Sequence, residues 1–66
     1  MSIPADVWLV VRQRVDGSAH VRLLTRRADG EHTLGLGDLL RDEWEALARF
    51  CAEHSVRIVR ENGKAL

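Results

Sequence analysis

The stretch Asp38-Leu39-Leu40-Arg41-Asp42-Glu43-Trp44-Glu45-Ala46-Leu47-Ala48-Arg49-Phe50-Cys51-Ala52-Glu53-His54-Ser55 decides the fold, because no other part of the chain reads as a helix. At about 100° per residue, Leu40, Trp44, Leu47, Ala48, Phe50, Cys51 and His54 fall on one face. Arg41, Asp42, Glu45, Arg49 and Glu53 fall on the other. A helix that is apolar on one side needs a sheet or a second helix to cover it. Its start has two candidates. Asp38 could cap it, whereas Asp42 with Glu45 forms the spacing of a capping box and argues for a later start. The preferred reading is a turn at Asp38–Arg41 leading into a helix over 42–54, with Asp38 as the alternative start and Ser55 as the end.

Immediately after the helix, 56–60 reads as a strand, with Val56 and Ile58 inward and Arg57 and Val59 outward. Glu61 to Leu66 reads as a frayed tail, Asn62-Gly63 being a turn signal. Before the helix, Gly37 is expected to break a strand over 31–36. The first strand spans 6–15 and the second 19–27, each with period-two alternation. The odd positions Leu9, Val11, Val21 and Leu23 share one face of that sheet.

Turn chemistry sets the register. A three-residue loop, Val15-Asp16-Gly17 with Gly17 left-handed, pairs Arg14 with Ser18, Leu9 with Leu23 and Val11 with Val21. Ala28-Asp29-Gly30-Glu31 carries a type I′ signature with Asp29 and Gly30 in the turn. That register sets Thr25 opposite Leu34 and Leu23 opposite Leu36. His32 joins the same apolar face, and Gly35 lies on the other, opposite Leu24. The result is α+β: a single small domain of order β-β-β-α-β, a mostly antiparallel sheet with one helix packed on one face. The strand after the helix follows a helical crossover and should run parallel to the first. The run Val7-Trp8-Leu9-Val10-Val11, apolar on both faces, suits an interior strand, so the expected spatial order is 4-1-2-3.

Sixty-six residues make one domain near the lower limit for folding without disulfides or metals. Such a chain buries only about 60% of its unfolded surface and leaves little room to enclose a substrate. The single cysteine, Cys51, excludes an internal disulfide. The start Met1-Ser2-Ile3-Pro4 lacks the pattern of a signal peptide, and Val7–Val11 is too short to span a bilayer. A complete, cytoplasmic protein without membrane association is the expectation. Ten basic and ten acidic side chains cancel, but eight of the basic ones lie outside Asp38–Ser55 and five of the acidic ones within it.

That asymmetry gives the helix-free sheet face its character. It is expected to present Trp8, Val10, Leu24 and Val59 among Arg12, Arg14, Arg22, Arg26, Arg57 and His20. Apolar residues ringed by arginine suit a protein contact, since Trp and Arg dominate binding hot spots. The same set could stack bases and neutralise phosphates. Against both stands the plain alternative of a solvated sheet face with arginine stems lying over scattered apolar residues. The expected partner-binding residues are Trp8, Val10, Arg12, Arg14, Arg22, Leu24, Arg26 and Arg57.

Other candidates fall short of a site. Cys51 and His54 share a helix face, yet a zinc site needs two more ligands, and His20 belongs to the other sheet face. A Cys–His nucleophile would lack both an orienting group and an oxyanion donor. Gly35-Leu36-Gly37-Asp38 has neither the lysine nor the glycine pattern of a phosphate loop. No catalytic residue, metal or cofactor is expected. The function expected is that of a non-catalytic interaction module that binds itself, as a homodimer, or a larger assembly, as an inhibitor or accessory factor. The alternative is a nucleic-acid-binding module using the Arg/Trp face, against which zero net charge counts. In topology alone, with no motif, the chain resembles DNA readers that lay a sheet in a groove.

Overall fold

The computed structural model describes residues 6–61. Its elements are β1 (Val7–Gln13), β2 (Ala19–Arg27), β3 (Gly30–Leu39), α1 (Arg41–Glu53) and β4 (Arg57–Arg60). The four strands form one sheet in the order β3-β2-β1-β4, antiparallel except for the parallel pair β1–β4. This is the α+β meander with a helical crossover that the periodicity predicts. The expected tail lies outside the described residues from position 62 onward. Glu61 itself is held, its N–H donating to the Val11 carbonyl at 3.0 Å.

The first hairpin follows its turn chemistry. Gly17 has φ +90° and its N–H donates to the Arg14 carbonyl, while the Arg14 N–H donates to Ser18 O at 2.8 Å. Asp16 fixes the loop by accepting from both the N–H (2.9 Å) and the hydroxyl (2.6 Å) of Ser18. Leu9 therefore stands opposite Leu23, and Val11 opposite Val21. A side chain at Gly17 would also strike the Arg41 stem, with Cγ and Cδ 2.9 Å from an added Cβ.

The second hairpin departs from the type I′ expectation. Ala28 and Asp29 form the turn between paired Arg27 and Gly30, and of the turn residues only Gly30 has positive φ (+124°). A type I′ turn needs positive φ at both central residues, which Ala28 resists. Thr25 consequently pairs with His32 rather than Leu34. A bulge then inserts Leu34 between the pairs Leu24–Thr33 and Leu23–Gly35. It flips the side-chain phase of the rest of the strand. Gly35, Gly37 and Leu39 take the helix side, and Leu36 and Asp38 take the opposite side beside Arg22 and His20. Nor does Gly37 break the strand: β3 runs on to Leu39, so no turn forms at Asp38–Arg41 and Asp38 does not begin the helix. The bulge has an evident physical benefit, since an unshifted ladder would turn the Asp38 carboxylate into the core.

At the helix start, Glu43 rather than Glu45 reaches back, its Oε1 accepting from the Leu40 N–H at 2.8 Å. The end is a Schellman-type turn. Ser55 has φ +58°, and the Val56 N–H donates to the Cys51 carbonyl at 2.9 Å. The core comprises Leu9, Val11, Ala19, Val21, Trp44 and Cys51, flanked by half-buried Leu23, Leu39, Leu47, Ala48, Val56 and Ile58. The apolar helix stripe is narrower than its sequence suggests. Leu40 and Phe50 are 67% and 49% exposed, and Phe50 stacks on exposed His54 with ring centroids 4.3 Å apart. Below Phe50 the sheet offers the two side-chain-free positions Gly35 and Gly37, so nothing there meets it.

Candidate functional interface

Two surfaces stand out among the described residues. The first is the helix-free face of the sheet. Alternation along β1, β2 and β4 brings Trp8, Val10, Arg12, His20, Arg22, Leu24, Arg57 and Val59 into adjacent register there. Trp8 sits between Leu24 of β2 and Arg57 of β4. It is only 6% exposed, and the guanidinium carbons of Arg26 and Arg57 each lie 5.4 Å from its ring centroid. Both distances are within cation–π range. Leu24 is likewise buried, and Val10 and Val59 are half-buried. The apolar centre of this face is thus largely withdrawn from solvent, and its outer surface consists mainly of arginine.

Arg14 and Arg12 lie toward the hairpin end of the face, each with a carboxylate partner. Arg14 Nη2 reaches Asp38 Oδ1 at 2.6 Å, and Arg12 Nε reaches Glu61 Oε2 at 3.3 Å. His20 Nδ1 also meets Asp38 Oδ1, at 3.2 Å. The hydrogen bond from Arg14, then that from His20, holds the Asp38 carboxyl below its ordinary pKa. Asp16 is lowered as well, by the Ser18 hydroxyl and backbone N–H. Asp38 and Glu61 are the members of this face that sequence reasoning missed. The signal for Asp38 was present: it alternates in phase with Leu34 and Leu36, so one uninterrupted strand cannot bury those leucines without burying the acid.

The second surface is an apolar cleft of about 450 Å³ on the helix side, between α1 and β3. Its floor is Gly35 and Gly37, and Val7, Leu23, Leu47 and Phe50 are among its walls. It is an open groove rather than an enclosed cavity, and its lining is apolar, without convergent polar groups for chemistry. Cys51 lines the cleft, and its thiol pKa is raised by burial. That shift is away from the thiolate a nucleophile requires. His54 is exposed and stacked on Phe50, whereas Cys51 is buried. Among the described residues no three His, Cys, Asp or Glu side chains are grouped to hold a metal ion. No described helix is long and apolar enough to cross a membrane. Comparison with family models, with curated proteins and with solved structures finds no match.

Proposed function

We propose that this protein is a non-catalytic interaction module that binds a protein partner through the helix-free sheet face. The observation that carries this reading is the arginine-covered tryptophan: Arg26 and Arg57 lie over Trp8, with Arg22 on the adjoining strand. A guanidinium held over an aromatic ring by a cation–π contact keeps its N–H donors free for a partner carboxylate. Arg22, Arg26 and Arg57 have no carboxylate partner among the described residues. The partner this chemistry suits carries acidic side chains around an apolar contact.

A polyanion would meet the same three arginines. It would also meet Asp38 and Glu61 on the same face, next to the arginines they neutralise. Alternating charge of this kind suits a protein surface better than a phosphate backbone, which repels every carboxylate it passes. A cytoplasmic role as inhibitor or accessory factor belongs to this reading.

The test is affinity capture from a native lysate, with and without nuclease, using the wild type and an Arg22→Glu/Arg57→Glu variant. Capture of a defined protein that survives nuclease and is lost with the variant supports the reading. Loss on nuclease treatment alone contradicts it.

A further inference from the structure

The outer edge of β3 is the longest unpaired strand edge among the described residues, ten residues against four on β4. Such an edge presents unpaired N–H and C=O groups to any chain able to extend the sheet. Folded proteins commonly blunt it with lysine, proline, a β-bulge or a covering segment. β3 contains neither lysine nor proline, and its bulge at Leu34 leaves residues 35–39 in regular register against β2. Beside this edge on the helix side lies the apolar cleft, and on the opposite side Leu36 stands 69% exposed.

We infer that the occupant of this edge is a second copy of the chain, joined β3 to β3 antiparallel about a two-fold axis. Two four-stranded sheets would merge into one of eight strands. A two-fold normal to the sheet keeps both helices on one side, so cleft meets cleft. Phe50 and Leu47 of each copy then close over the glycine floor between them. An added Cβ at Gly35 or Gly37 meets nothing within 4 Å, which is the space this packing needs. One surface satisfies both partners, as an isologous contact requires.

Charge permits the pairing. Glu31 and Asp38 are the acids of β3. A register centred on Leu36 or Gly37 sets Asp38 opposite Leu34 or Leu36 of the other copy, never acid against acid. Area permits it too. Leu34, Leu36, Leu40 and Phe50 are exposed by 51%, 69%, 67% and 49%. Together they offer on the order of 400 Å² of side chain, half of the roughly 800 Å² per partner of a stable interface, with strand backbone and cleft walls to add. A domain this small also gains stability by association. The contact uses the β3 edge, the helix side and Leu36 at the border of the opposite face, but none of Arg22, Arg26 and Arg57, so Arg22→Glu/Arg57→Glu tests partner binding separately from it.

Sedimentation equilibrium of the full chain over a concentration series tests it, with Leu36→Lys, Phe50→Glu and, as a control on β1, Arg12→Glu. The substituted side chains are all exposed, so each variant should keep the wild-type circular dichroism. Reversible dimerisation is expected, weakened about tenfold or more by Leu36→Lys and by Phe50→Glu and unchanged by Arg12→Glu. Hydrogen exchange of the Gly35–Leu39 amides should slow as concentration rises. A wild type that stays monomeric overturns the inference, and so does a monomer whose cleft takes up an apolar dye. A dimer indifferent to both substitutions, or broken by Arg12→Glu, overturns it as well.

Discussion

Leu23 of β2 stands opposite Gly35 of β3, so on the helix side of the sheet a large side chain faces a neighbour that has none. The same holds two residues along, where Val21 faces Gly37. These two pairs create the cleft, because α1 has nothing to rest on over β3. Neither glycine has a positive φ, and neither would crowd a methyl group. Glycine within a strand costs roughly 0.5–1 kcal/mol relative to alanine. Gly35→Ala and Gly37→Ala should therefore each stabilise the chain by about that amount in denaturant melts. Destabilisation by either would show that the floor of the cleft is closed.

Ser55 ends α1 in the left-handed region at φ +58°. A non-glycine residue there carries a steric cost on the order of 1 kcal/mol, offset only in part by the greater entropy a glycine loses on folding. Ser55→Gly should raise stability by up to about 1 kcal/mol, and Ser55→Val should lower it by more than that. Equal melts for the wild type and both variants would mean that the Schellman-type turn does not form.

Trp8 and Trp44 are 6% and 4% exposed, on opposite sides of the sheet. Each Trp→Ala change should cost about 3–5 kcal/mol, enough to unfold much of a domain this small. Leu47 is only half-buried, so Leu47→Ala should fall below both. Arg26→Ala and Arg57→Ala should cost about 0.5–1 kcal/mol each through the lost cation–π contact. A silent Trp8→Ala in thermal or denaturant melts would show that the ring is not packed under its arginines.

Acid should weaken the fold through Asp16 and Asp38. Both carboxyls have folded pKa values lowered by hydrogen bonds. A depressed carboxyl contributes stability above its unfolded pKa, about 3.9, and loses it as pH falls through the folded value. Melts at about pH 6 and about pH 3 should show a smaller acid loss for Asp38→Asn than for the wild type. Identical losses would remove Asp38 from the acid response.

How much of this was legible follows from where local chemistry decides. Asp16-Gly17 with Ser18 behind it specifies one loop, and the whole β1–β2 register follows from that loop. The parallel return of β4 beside β1 follows from chain connectivity and the two-sided apolar run of β1. The β2–β3 register was missed because Asp29-Gly30 fits two turns; the phase of Asp38 with Leu34 and Leu36 was the one local sign of a bulge, and its contacts with Arg14 and His20 come from a distant part of the chain. The same bulge explains the exposure of Leu36 and Phe50, which helical and strand periodicity alone would bury. The arginine positions on the helix-free face were readable from alternation. Their neutralisation by Asp38 and Glu61 depended on that hidden register and on a residue just past β4.

The salt dependence of partner binding tests the central claim most directly. The captured partner should be titrated against the wild type and the Arg22→Glu/Arg57→Glu variant across a salt series. Contact with a protein surface predicts a shallow dependence, since exposed ion pairs contribute little each, together with a large affinity loss in the variant. A log–log slope of about −0.9 for each phosphate neutralised, steep for the wild type and flattened in the variant, would contradict it and identify a nucleic-acid ligand.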